Sequence, residues 1–253
     1  MLEGQQSQPA SASRHAANTS LAGTRLGASP YLSSEERHAL EGAALAIRSI
    51  AAGTDLMREG ERIDLFYIVI EGWACRFKTT RDGSRQIVAL LMPGDVANLD
   101  SFAFGRLDYG VRSLTAIKVA TIARDRLSAL SDQHAAIAKT LAWLAMVENA
   151  TLGQWALCLG RQSARQRLAH LLCEISVRLS EDDAGGSFEL PLTQEQVADT
   201  LGLTSVHVNR TIQQLRAEGL IEARGRTMSI VDFEALCRIG EFDPAYLHAD
   251  PTS

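Results

Sequence analysis

The sequence predicts an α+β fold: an antiparallel β-roll or barrel, a long helix, and a C-terminal winged helix-turn-helix. Three observations point to it. From about Ile47 to Arg124, short apolar or alternating runs (LFYIVI, ACRFKTT, QIVALLM, KVATIA) are cut by Gly53, Gly60, Gly72, Asp82-Gly83 and Gly94-Asp95. That is the texture of a small all-β unit. From Leu127 to Leu159 there is no proline, and apolar residues recur at helical spacing. Finally, two short helical patterns meet at Gly202, and a strand–turn–strand pattern follows them.

Bulk properties leave room for this plan. The chain has 253 residues, 46% of them hydrophobic, enough for two modest cores without crosslinks. A net charge of -5 does not advertise nucleic-acid binding, so any such case rests on local features. The four cysteines, Cys75, Cys158, Cys173 and Cys237, form no CxxC pair and read as reduced thiols of a cytoplasmic protein. No window approaches the ~18 apolar residues that span a bilayer, so no membrane partner is expected. Residues 1–30, rich in Ser, Ala, Gln and Gly without a signal-like apolar run, read as a disordered tail.

The elements follow in order. Ser33 and Glu36 have capping-box spacing and open a helix ahead of the barrel, so residues 31–126 form one unit. Asp82-Gly83 between two strand-like runs is a hairpin signal. In the long helix, residues 127–160, Ile137, Leu141, Leu144, Glu148, Thr151 or Leu152, Trp155 and Leu159 fall on one face. At ~45 Å the helix outreaches a barrel of about 80 residues, which favours that face as a dimer seam, with Glu148 out of place in it. Gly160 to Gln162 is a hinge. Ser163 and Gln166 cap a new helix over 164–179, opening a domain at 161–238, and 239–253 read as a C-terminal tail.

In that last domain Pro191 fixes the approach, Thr193 and Gln196 repeat the cap, and Val197 and Leu201 make the first apolar stripe. Gly202 stands where the chain turns sharply, and Ala198 is small where two helices cross. Leu203, Val208, Ile212 and Leu215 give the inner face of a second helix. Thr204, Ser205 and His207 lie in its first turn, where free N–H groups favour a phosphate. Asn209, Arg210 and Gln213 are exposed beyond; Arg can fork onto guanine, and Asn or Gln can pair with adenine. "GLIEARGRTMSIV" then makes a wing with Arg224 and Arg226 at its tip. From Pro191 to Thr227 four basic residues meet four acidic ones, which predicts weak, salt-sensitive non-specific affinity and a need for two copies.

The order "AGTDLMREGERIDLFYIVIEGWACRF", "DGSRQIVALLMPGD", long helix, hinge and "VHVNRTIQQLRAEGLI" resembles the Crp/Fnr family of bacterial transcription regulators over about residues 45–235. The resemblance implies a homodimer paired along the long helix, an effector-sensing barrel, a two-fold double-stranded DNA site and contact with RNA polymerase. It makes Arg210 a guanine reader, Thr204 a phosphate-contacting hydroxyl, Thr193 a backbone contact and Arg226 a basic wing residue. Val206 stands where many members carry a base-reading glutamate, and Asn209 where Gly or Ser is usual.

On the sensing side the resemblance implies an effector pocket around Gly94, Asp95, Arg106, Arg112, Ser113 and Leu152. The family's cyclic-nucleotide cassette needs an Arg-Ser/Thr pair where this chain has Leu107-Asp108, and its purine-facing Thr-Ser pair falls on Leu152-Gly153. The effector is therefore expected to be something other than cAMP. An iron–sulfur cluster is not expected either, because no cysteine precedes Cys75. Haem would need His38 or His134, which read as surface helix residues. No cofactor, metal site or catalytic set is predicted. The alternative function is a ligand-binding sensor whose C-terminal domain docks a protein; that surface would carry apolar anchors where this one is polar. A redox switch at Cys75 or Cys158 would require a low-pKa, exposed thiol.

Overall fold

The structure, a computed structural model, describes residues 21–180 and 185–248. Helix α1 (Ser34–Ala43) opens on the expected capping box, with the Ser33 and Glu36 side chains each taking the other's backbone N–H. Seven strands follow: β1 (Ala44–Ile50), β2 (Asp55–Met57), β3 (Leu65–Glu71), β4 (Ala74–Thr79), β5 (Arg85–Leu91), β6 (Gly110–Ser113) and β7 (Ile117–Ala123). They form two antiparallel sheets, ordered β1-β7-β3 and β2-β6-β4-β5. Their inner faces meet in a core of Met57, Val69, Leu91, Val111, Ile117 and Val119. The β4–β5 hairpin turns at Asp82-Gly83, with Gly83 at positive φ.

The long helix departs from expectation. Helix α2 (Arg124–Gln133) ends at His134, whose backbone is extended, and α3 (Ala135–Arg161) starts there as a separate 27-residue helix. The face expected to be a dimer seam is mostly covered by the chain itself. Ile137, Leu141 and Leu144 lie in one core with Phe66, Ile68 and Ile122 of the barrel. Glu148 belongs on this inner face too, for it meets Arg76 of β4. Elsewhere on α3, Met146 and Leu157 share an uncovered face at 64% and 51% exposure, and Leu152, 54% exposed, flanks the inner face.

Both expected tails need correction where they are described. Leu21 and Leu26 are buried in the same core as Ile137, and Ser29 Oγ bonds Thr140 Oγ1 of α3 at 2.8 Å. Residues 21–29 thus form a strap on the barrel; the rest of the expected disordered tail lies outside the described residues. At the other end, α7 (Phe233–Gly240) packs onto α4 (Ala164–Leu179), and a 3-10 turn (Pro244–Leu247) packs onto α3, with Tyr246 reaching His170 and Glu174 of α4. Phe242 and Leu247 are buried. Apolar residues too few to show a period were enough to order both segments.

The C-terminal unit comprises α4, β8 (Gly186–Glu189), α5 (Gln194–Leu201), α6 (Ser205–Ala217), β9 (Ile221–Arg224), β10 (Thr227–Ile230) and α7, with sheet order β8-β10-β9. Strand β8 pairs antiparallel with β10, Phe188 opposite Met228. The unit does not stand apart from the barrel: Trp73, Cys75, Ile87 and Leu90 share a core with Leu168, Leu172, Val197 and Leu201.

Candidate nucleic-acid interface

Helices α5 and α6 are built as the sequence implied. Thr193 and Gln196 form a complete capping box on α5. Gly202 ends that helix at φ 62°, ψ 42°, a left-handed conformation that costs glycine little. Thr204 caps α6, its Oγ1 accepting from His207 N at 3.3 Å. Val208, Thr211 and Leu215 are buried on the inner side.

Helical geometry then orders the outer side. With about 100° per residue, Val206, Arg210 and Gln213 fall within about 40° of the direction opposite the buried stripe. All three are exposed, Val206 at 75%. Ser205 and Asn209 flank this stripe on one side and His207 on the other; all are exposed. Among the described residues Arg210 has no ion-pair or hydrogen-bond partner, so its guanidinium is free to fork onto a base or carboxylate edge. Gln213 Oε1 accepts from Arg216 at 3.2 Å. The wing turns at Gly225-Arg226. Arg224 lies 3.1 Å from Glu222 and Arg226 4.0 Å from Glu189, both strongly exposed pairs that solvent weakens.

Most of the residues expected to hold an effector are already engaged by partners within the protein. Gly94, at φ 96°, is covered by the strap, whose Arg25 N–H bonds its carbonyl at 3.0 Å. Asp95 accepts from Arg178 of α4 at 2.6 Å and from Met92 N at 2.8 Å. Arg106 bonds the Gly60 carbonyl, and Arg112 pairs with Asp55 at 3.1 Å. The Ser113 hydroxyl is buried in bonds with Ala51 and Thr54. Leu152 is out on α3. Among the described residues, the guanidiniums that reach Asp95, from Arg25 and Arg178, pair with its carboxylate and so are not free to fork onto a cyclic phosphate.

Two buried arginines take up that space in a way no motif signalled. Arg76 donates both terminal nitrogens to Glu148 at 2.8 Å each, and also bonds the Val96 and Ala97 carbonyls. Burial alone would lower its pKa, but the Glu148 carboxylate, with Tyr109 and Asp100, raises it on balance and holds it charged. Tyr109 completes the cluster beneath it and donates to Asp100. Arg178 joins Asp95 of the barrel to Glu174, which also accepts from Trp155 Nε1 at 2.7 Å and Tyr246 OH at 2.8 Å. These partners lie 72 and 83 residues apart in sequence, beyond the reach of any periodicity argument.

Cys75 and Cys158, the two thiols considered for a redox switch, are both buried. Burial pushes the Cys75 thiol up to about 12 and raises that of Cys158. Among the described residues no three His, Cys, Asp or Glu side chains converge as metal ligands. His38 Nδ1 bonds Ser34 O, and His134 faces Glu36 at the start of α3.

Two family profiles match the chain: a cyclic nucleotide-binding domain over residues 47–134 and a Crp-like helix-turn-helix domain over residues 166–239. The transcriptional activator protein FnrL of Cereibacter sphaeroides is 32% identical over 75% of this chain and 78% of its own length. The nitrogen fixation regulation protein FixK of Bradyrhizobium diazoefficiens is 28% identical over 72% of this chain and 76% of its own. Among solved structures, FixK2 from Bradyrhizobium japonicum superposes with a TM-score of 0.73 at 26% identity, covering 78% of this chain and 96% of that one. A CooA mutant from Carboxydothermus hydrogenoformans, at 17% identity and a TM-score of 0.66, shares the fold. A barrel fused through a long helix to a capped, glycine-turned reading helix and wing, matched in this order, places the chain in the Crp/Fnr family of DNA-binding transcription regulators.

Proposed function

We propose that the protein is a homodimer that reads a two-fold site in double-stranded DNA with α6 in the major groove and acts on RNA polymerase from there, in the cytoplasm. The observation that carries this reading is the outer stripe of α6, exposed along its length and holding an arginine with no partner among the described residues. In it Arg210 forks onto guanine, Gln213 and Asn209 reach neighbouring base edges, and Ser205 and His207 line the groove walls. Thr193 and Thr204 set the helix N-termini against phosphates, and Arg226 of the wing adds a backbone contact. The named relatives are activators or regulators, which favours transcription control over docking of an unrelated protein.

The uncovered apolar side chains of α3, Met146 and Leu157 on one face and Leu152 on the flank of the inner one, supply the pairing surface. Pairing there would place two copies of α6 about one DNA turn, ~34 Å, apart. Because the guanidiniums at Asp95 are already paired with its carboxylate, this reading favours an effector other than cAMP, with its signal reaching α6 through α3 or through the Asp95–Arg178 junction. Selection from randomised palindromic DNA at low salt tests the function. One two-fold site with half-sites a turn apart is expected; recovery of no site would sink the reading.

A further inference from the structure

One residue of the α6 stripe cannot do what its position asks of a side chain. Val206 lies nearest the direction opposite Val208 and Leu215, is 75% exposed, and precedes Arg210 by four residues on the same face. It has no donor or acceptor. A side chain held there against a base edge has one specific partner available in the major groove: the C5-methyl group of a pyrimidine. A polar or small residue would keep α6 soluble at least as well, and a β-branched one costs helix propensity. Solvation therefore gives no reason for valine at the tip of a reading helix.

We propose that Val206 is a specificity-determining residue that selects a thymine through its methyl group, within two base pairs of the guanine read by Arg210. The spacing follows from geometry, since four residues advance an α-helix by about 6 Å and base pairs rise by about 3.4 Å. This rests on the reading of α6 as the base-contacting helix. It goes further in naming the chemical group read, and it predicts that a methyl, rather than a base identity, sets affinity at that step. Burying one such group on each half-site is worth about fourfold per half-site at ~0.8 kcal/mol per methyl-sized group, or roughly 15-fold for the whole site.

The test uses the full chain and the selected palindrome. The position nearest the one relaxed by Arg210→Ala is synthesised with thymine, uracil, cytosine or 5-methylcytosine on the contacted strand, paired with its complement. Thymine and 5-methylcytosine are expected to bind alike, with uracil and cytosine weaker by about fourfold per half-site. Val206→Ala should flatten that difference while keeping the dependence on Arg210, and Val206→Glu should turn the preference toward cytosine, whose N4 amino group donates to a carboxylate. Val206 is exposed, so neither variant disturbs folding, which circular dichroism checks. Affinity that follows base identity and ignores the methyl, or a methyl effect that survives in Val206→Ala, overturns the proposal. Failure of the wild-type chain to select any site would instead strike at the DNA reading itself.

Discussion

The outer stripe of α6 and the inner junction of the barrel use the same chemistry to opposite ends. On α6 Arg210 stands in solvent without a partner among the described residues, held only by its helix. Where the barrel meets α3 and α4, the guanidiniums of Arg76 and Arg178 are nearly buried, and each is engaged by carboxylate and backbone carbonyl oxygens. A free guanidinium on a rigid helix is available to a ligand; one already forked onto an internal carboxylate serves as structure. The difference teaches that an arginine count near an expected pocket says little about binding. What matters is whether the fold has already spent the donors, and here it has spent them on Glu148, Asp95 and Glu174.

Removing an inner partner should break this contrast most severely. Arg178→Met leaves the buried Glu174 carboxylate without its cation and Asp95 with only the more distant Arg25, and urea unfolding is expected to show a loss of about 3–5 kcal/mol. A loss below about 1 kcal/mol would mean that water solvates the junction. Arg210→Ala should do the reverse, leaving unfolding unchanged but costing about 1–3 kcal/mol of DNA affinity and relaxing one base position. Equal weakening across all sequences in a gel-shift would contradict base reading. Glu148→Gln keeps the shape of the α3–barrel contact while removing its charge; because Glu148 is about one-third exposed, the expected destabilisation is about 1 kcal/mol. An unchanged thermal midpoint would show that Arg76 is held by its carbonyl partners alone.

The smallest effect concerns pH. Burial lowers the pKa of His170, which lies between the Gly240 carbonyl and the Tyr246 hydroxyl, near Glu174 and the Phe242 ring. The folded state therefore resists protonation that the unfolded chain accepts near the ordinary imidazole value of about 6.5. No stability difference arises from this group above that pH. As pH falls below it the unfolded chain binds the proton first, so stability declines until the folded pKa is reached. Melting curves between pH 7 and pH 5 should show the decline, and His170→Phe should flatten it.

Much of the fold was legible because it is written locally. Ser33, Ser163 and Thr193 cap their helices as their spacing implied, and Gly202 turns left-handed where two apolar stripes change direction. Hairpin and wing follow from Asp82-Gly83 and Gly225. The break at His134 was not legible, since neither glycine nor proline marks it. The inner face of α3 misled for a physical reason: 3–4 spacing reports that a stripe is buried, not against what. Glu148, out of place in a dimer seam, was the residue that signalled the other answer. Its partner stands on a strand 72 residues earlier. The strap escaped notice because two leucines in a low-complexity run carry no period, yet both are buried.

The shared core of Trp73, Ile87, Leu90, Leu168 and Val197 has a consequence for how the molecule opens. Native-state exchange follows cooperative units rather than nominal domains. Strands β4 and β5 bury their outer faces with α4 and α5, and Gln86 also bonds the last turn of α5 at 3.1 Å. Amides of the reading head and of this half of the barrel should accordingly become accessible together, in one subglobal event. Where the sequence draws a hinge at Gly160 to Gln162, the polypeptide would breathe elsewhere.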